Sequence, residues 1–452
     1  MLPTPVSGCS RVQAPGESEG LDVADGYCSK CMNFNRFLVH LVAIATMECM
    51  GIANIQAIAA AGFLAASLFS HTVALRLICL ALAVLLALVM VGSDLWQQRA
   101  RSPLLPPASL AFFLWAVWCG LSLLWSLEPE RSEKEFRNEI VYAGLAYWSC
   151  FIAGQRSYSN RLPVFILSVA LILVCALAIR ASFSENPLLG WHGGPGMHSS
   201  TLLVAIPCLF GFLAWNQFSV PPRRQHQIVV STLAGLCLVS AFSVNNRSVW
   251  IGLTLQGLLL VGVVSYWHGR VSSTLSRRQW ASWAWGSIAL LCIATIVALN
   301  RRDGWHALSY DGRIALWRES LGHILDHPWL GYGFGRGSLR AALHATFNDG
   351  VLWHSHNLFL EVVLQTGLIG LALFLLLLGS LIRAAVRYLR HDALAVSMLG
   401  LVAGMIVLGM LIRNMTDMLW VRAAALTFWG AMGVVFGLAC RSSAANTVAA
   451  KP

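Results

Sequence analysis

Apolar runs long enough to cross a bilayer recur along this chain, and they decide what it can fold into. Residues 73–91, 164–179 and 368–378 are interrupted only by Arg76, Ser168 and small residues. A span takes about 20 apolar residues. In hydrocarbon a single span satisfies its backbone hydrogen bonds only as a helix. Of 452 residues, 57% are hydrophobic and 11% charged, with mean hydropathy +0.66. Soluble domains carry about 25% charged residues, so most of this chain's solvent is lipid. The sequence predicts an all-α, polytopic integral membrane bundle of about 12 helices.

The expected spans are about 37–70, 73–94, 108–126, 138–154, 162–182, 198–216, 228–244, 248–266, 281–299, 357–382, 394–412 and 418–439. The connectors sort by charge. Those at 97–101, 155–161, 221–224, 268–278 and 383–390 are basic, which assigns them to the cytoplasm. The alternate connectors at 128–139, 184–197, 300–355 and 413–417 are acidic or mixed and fall on the opposite face. Residues 37–70 suit one tilted, broken crossing whose polar Glu48, Asn54 and Gln56 turn to the bundle interior. The net charge of +11 is then first a matter of topology, and nucleic acid is not an expected partner. Most of the 12 cysteines lie in or beside apolar spans, where Cys acts as a small hydrophobe. Cys28-x-x-Cys31 has no second pair or nearby His to complete a zinc site. Residues 1–36 lack a basic segment followed by an apolar core and read as a polar cytoplasmic tail.

The two halves show no self-similarity, and the one long loop lies off-centre, which argues against a transporter built from repeats. A loop of that length is usually functional. The non-cytoplasmic face also gathers cations that topology does not require: Arg131, Lys134 and Arg137 before the fourth span, Arg180 at the end of the fifth, Arg247 opening the eighth, and Arg301, Arg302, Arg313, Arg318, Arg336 and Arg340 in the loop. Arginine at a helix N-terminus opposes the macrodipole, so Arg247 calls for an anion, and a phosphate gripped bidentately is the natural one. Arg131 and Lys134 stand among Glu128, Glu130, Glu133 and Glu135 and read as local ion pairs.

Within the loop, 312–326 has Leu316, Trp317, Leu321, Ile324 and Leu325 at helical spacing, an amphipathic helix suited to a membrane surface. Gly331, Gly333 and Gly335 alternate, as in a tight turn or an anion-binding nest. Arg336 and Arg340 share one helix face. His356 leads into the tenth span, where the positive helix end disfavours imidazolium. A neutral imidazole there suits a general base or a simple helix cap.

These residues resemble the bacterial O-antigen ligases and O-antigen polymerases. His356-Asn357, nine residues, then Gly367-Leu368-Ile369-Gly370 matches the ligase-type pattern. Asp311-Gly312-Arg313, followed by Pro328 and the Gly331/Gly333 pair, is similar to the family's arginine-bearing loop, although Leu316 stands three residues after Arg313 where the family often has leucine four on. Asn245-Asn246-Arg247-Ser248 is similar to the arginine that opens an earlier helix. The resemblance covers about 190–380.

It implies an inner-membrane, multi-pass glycosyltransferase that needs no metal or other cofactor. Its active site faces the periplasm. The donor is an undecaprenyl-diphosphate-linked glycan and the acceptor is lipid A–core oligosaccharide, or another lipid-linked repeat in a polymerase. Arg247 and Arg313 would hold the diphosphate, and His356 would activate the acceptor hydroxyl. Arg336, Arg340, Arg137, Arg180 and Asn357 would support them. The expected organisation is a tail at 1–36, spans at 37–299, a periplasmic catalytic loop at 300–356, spans at 357–440 and a second tail at 441–452. No Asp-x-Asp occurs, against a metal-bound sugar nucleotide. Direct displacement inverts the anomeric centre; a covalent route would need a carboxylate, and Glu361 is the one candidate. A transporter or flippase for the same lipid would instead need polar residues near the midplane.

Overall fold

A computed structural model describes residues 51–97, 103–156, 161–183, 192–218, 224–244, 246–268, 312–343, 355–415 and 422–449, with 289, 292 and 296 singly. The described residues are helical, with no strand among them. In chain order the helices are α1 (Gly51–Ser67), α2 (Val73–Trp96), α3 (Ser109–Leu121), α4 (Pro129–Phe136), α5 (Tyr142–Arg156), α6 (Leu162–Ala181), α7 (Gly194–Phe218), α8 (Arg224–Val244) and α9 (Arg247–His268). They continue as α10 (Gly312–Asp326), α11 (Arg336–Leu343), α12 (Leu358–Leu389), α13 (Leu394–Asn414) and α14 (Arg422–Ala449). Eight of them (α2, α6–α9 and α12–α14) are long and apolar enough to cross a membrane, and α1 and α3 are shorter apolar helices. The expected span at 281–299 lies almost wholly outside the described residues, and residues 37–50, with Glu48, lie outside them entirely.

Helix directions follow from who touches whom. Against α5, α14 packs in parallel: Gly433 lies on the Tyr147 carbonyl and Gly437 on the Phe151 carbonyl, too close to leave room for a Cβ. Without a hydrophobic force between helices in lipid, such small-residue seams let dispersion and backbone contact hold the pair. Against α13, α9 runs antiparallel. Gln256 donates to the carbonyls of Met405 (2.8 Å) and Leu203 (2.9 Å), while Val264 and Trp267 share a core with Met398 and Leu401.

At one end of the bundle Arg156 pairs with Asp94, and His391 Nε2 lies 3.1 Å from Ser443 Oγ. The opposite end holds the start of α9, the end of α13, the start of α12 and the described part of the long loop. Arg247 stands nine residues above Gln256 and Met415 ten above Met405, rises of about 13 and 15 Å. The end of α13 and the starts of α9 and α12 thus lie together, away from the ends of α5 and α12.

Candidate functional site at the head of helix α12

The site is organised by a break in a membrane helix. Gly367 has φ +67° and ψ −175° inside α12, a region in effect reserved for glycine. The break frees backbone groups that hydrocarbon could not satisfy, and the loop supplies two donors and one acceptor. Tyr332 N–H donates to Leu364 O (2.8 Å), Gly333 N–H to Gln365 O (2.9 Å), and Leu368 N–H to Pro328 O (2.8 Å). Trp118 Nε1 of α3 donates to Thr366 O (2.9 Å). A Cβ on Gly331 would sit 2.6 Å from Leu364 O, and one on Gly367 would collide with Trp329 O. The two glycine motifs are thus the two halves of one backbone joint.

That joint uses the amides a nest would need. Gly331, Gly333 and Gly335 all have positive φ, but their N–H groups go to His327 O, Gln365 O and Gln365 Oε1. Phe334 N–H goes to Ser122 Oγ and Arg336 N–H to Glu135. The tight-turn reading of this segment holds; the anion-nest reading does not. Tyr332 completes the turn by donating from its hydroxyl to His323 O (3.2 Å). Burial, with the Asp326 charge second, pushes that phenol up from its ordinary value.

His356 precedes the helix cap. Asn357 is the N-cap of α12: its Oδ1 accepts from Phe359 N–H (3.0 Å) and Leu360 N–H (3.2 Å), the standard use of an Asx side chain at this position. Its Nδ2 donates to Met415 O at 3.1 Å, which ties the head of α12 to the end of α13. His356 is half-buried with φ +48°, a left-handed conformation uncommon outside glycine. Ser355, fully buried, is held on every polar atom. Its N–H and Oγ–H reach Glu361 Oε2 at 3.0 and 2.6 Å, and its carbonyl accepts from Trp317 Nε1 at 2.8 Å. Oγ also lies 3.0 Å from Asn357 O.

The arginines divide. Arg313 stands in the first turn of α10, and Trp317, one turn on, makes the bond to Ser355; the Arg313 side chain is outside the described residues. Arg247 is the first residue of α9, half-buried, behind an Asn246 cap that accepts from Ser248 N–H (3.2 Å) and Oγ–H (2.9 Å). Arg336 is drawn inward. Its Nη2 lies 2.7 Å from Glu139 and 3.8 Å from Glu135, with 12% of its side chain exposed and 6% of Glu139's. That guanidinium seats the loop on the π-helical turn Arg137–Val141. Arg137 pairs with Glu133 (3.7 Å) and Arg131 with Glu128 (3.7 Å), both at the surface. Arg180 and Arg340 are exposed, in the last turns of α6 and α11.

Sequence reasoning missed Glu139, Ser355 and the reach of Glu361. Glu361 is fully buried and engaged by Ser355 and Gln365 (3.4 Å). It has no open face for a covalent role, and it meets Ser355 because residues 355–357 are not helical. A carboxylate at the edge of an apolar run, just before Ile140, was the available signal for Glu139.

Residues 199–375 match the O-antigen ligase family. The chain is 24% identical to an O-antigen ligase of Pseudomonas aeruginosa over 283 residues, 62% of this chain and 65% of that protein. It is 21% identical to a general O-oligosaccharyltransferase of Acinetobacter baylyi over 263 residues, 49% of this chain and 43% of that one. It thus spans less than two thirds of the length of either relative.

Proposed function

We propose that this chain, which belongs to the O-antigen ligase superfamily, moves a glycan from undecaprenyl diphosphate to a hydroxyl of lipid A–core oligosaccharide at the periplasmic face of the inner membrane. The observation that carries this reading is one link. His356, just before a membrane helix, is joined through Ser355 and Trp317 to the helix whose first turn carries Arg313, at the end of the bundle where Arg247 opens α9.

A glycosyl diphosphate carries its own leaving group. The protein has to neutralise the departing diphosphate and accept one proton. Arg247 and Arg313 grip the diphosphate oxygens, a preorganised electrostatic role. Neutral His356 takes the acceptor O–H proton as that oxygen attacks the anomeric carbon. The anomeric C–O bond breaks with its electron pair leaving on the diphosphate. One displacement inverts the anomeric centre. Asn357 supports by fixing the helix head; Arg336 supports by seating the loop. Arg137, Arg180 and Arg340 are surface cations, which we assign the supporting part of adding positive potential for an anionic lipid. No step calls for a metal.

Reconstitution with lipid-linked glycan and lipid A–core acceptor tests this. Ligation should vanish in His356→Ala while donor binding persists. Chain lengthening without the core acceptor would make the protein a polymerase. Transbilayer movement of donor without transfer would make it a flippase. The similarity to an oligosaccharyltransferase supports one further reading, transfer to a protein hydroxyl, tested by adding a periplasmic acceptor protein.

A further inference from the structure

We propose that Glu361 is a positioning residue that holds His356 in its left-handed conformation by gripping Ser355. This rests on the proposed role of His356 as general base. A non-glycine residue at positive φ costs about 1–3 kcal/mol and persists only where its surroundings over-determine it. Here the surroundings can be named. On one side of His356, Ser355 is locked by two bonds to the same carboxylate oxygen, 3.0 Å from its N–H and 2.6 Å from its hydroxyl. On the other, Asn357 is locked by its cap bonds and by Met415 O. Trp317 closes the last polar atom of Ser355 from outside. With both neighbours fixed, the imidazole has one backbone from which to project.

Glu361 is suited to this because it is rigid. It is fully buried, lies in the first turn of α12 where the macrodipole favours an acid, and has its other oxygen 3.4 Å from Gln365 Nε2. Gln365 in turn accepts from Gly335 N–H at 3.0 Å. The positioning chain therefore runs from the glycine joint through Gln365 and Glu361 to Ser355. Misplacing a reacting group by about 1 Å can cost about 10²-fold in rate.

The test uses the full chain in proteoliposomes with lipid-linked donor and lipid A–core acceptor. Glu361→Ala should lower kcat by about 10²-fold with the donor KM within about twofold, since the arginines are untouched. Glu361→Gln and Ser355→Ala, which each keep part of the grip, should fall between. In a His356→Gly background, where positive φ is free of strain, Glu361→Ala should lower the thermal transition by less than it does in the native background. A purely structural role would lower both equally. Unchanged kcat in Glu361→Gln and Ser355→Ala, or a rise in donor KM without loss of kcat, overturns the inference while the proposed function stands. Full activity in His356→Ala overturns both.

Discussion

Removing the Arg336 guanidinium should destabilise the protein more than any other single arginine truncation around the site. The pair it makes with Glu139 is 2.7 Å long, and the two side chains are 12% and 6% exposed. At an effective dielectric near 20 the direct attraction at that distance is about 6 kcal/mol. Most of it offsets desolvation, but deleting one partner strands the other, which costs about 3–5 kcal/mol. Arg422 also lies beside Glu139 and offsets part of the loss, so Arg336→Met should cost about 3 kcal/mol, near the lower end of that range. The assay is thermal unfolding of the detergent-solubilised protein in a double-mutant cycle. Arg336→Met should lower the transition by several degrees, Glu139→Gln by less, because Arg336 keeps Glu135. The double variant should recover most of the loss, with a coupling above about 1 kcal/mol, as expected for residues in contact. Purely additive changes, or an unmoved transition in Arg336→Met, would refute the claim that this ion pair seats the loop.

Gly367→Ala should cost at least about 2 kcal/mol, because its φ, ψ position belongs to glycine and the new methyl meets Trp329 O; lowered thermal stability together with lost transfer checks this. Asn357→Ala should lose about 1 kcal/mol of cap energy and also free the head of α12 from Met415, seen as faster amide exchange at Phe359 and Leu360. Arg247→Ala and Arg313→Ala should weaken donor binding more than His356→Ala does, and equal donor affinity in all three would refute the division of roles. Transfer should persist in EDTA, and loss of activity on chelation would bring a metal into the mechanism.

The helices were legible because hydrocarbon leaves a chain few choices. Length and apolarity placed α2, α6, α8 and α13 within a few residues of their observed bounds. Spacing also revealed α10, from Leu316 and Trp317, and a helix beginning beside His356. What escaped was everything made by backbone at long range. A residue pattern gives no sign that Gly331 and Gly367 meet, because neither side of that contact has a side chain. Arg336 read as one more cation on a crowded face because its partners lie about 200 residues upstream. Glu361 read as a candidate nucleophile and not as a partner of Ser355, six residues back, a contact that helical spacing does not give and that arises because the helix starts after Asn357.

The joint between the loop and α12 limits how this protein can move. Lifting the 328–335 turn away would leave the oxygens of Leu364 and Gln365 bare in a low-dielectric slab, each at a cost of several kcal/mol. That turn is accordingly part of the membrane frame and cannot swing as a flap. Under the proposed function, lipid-linked reactants therefore enter and leave past a fixed turn, and stiffening that turn should leave the transfer rate unchanged.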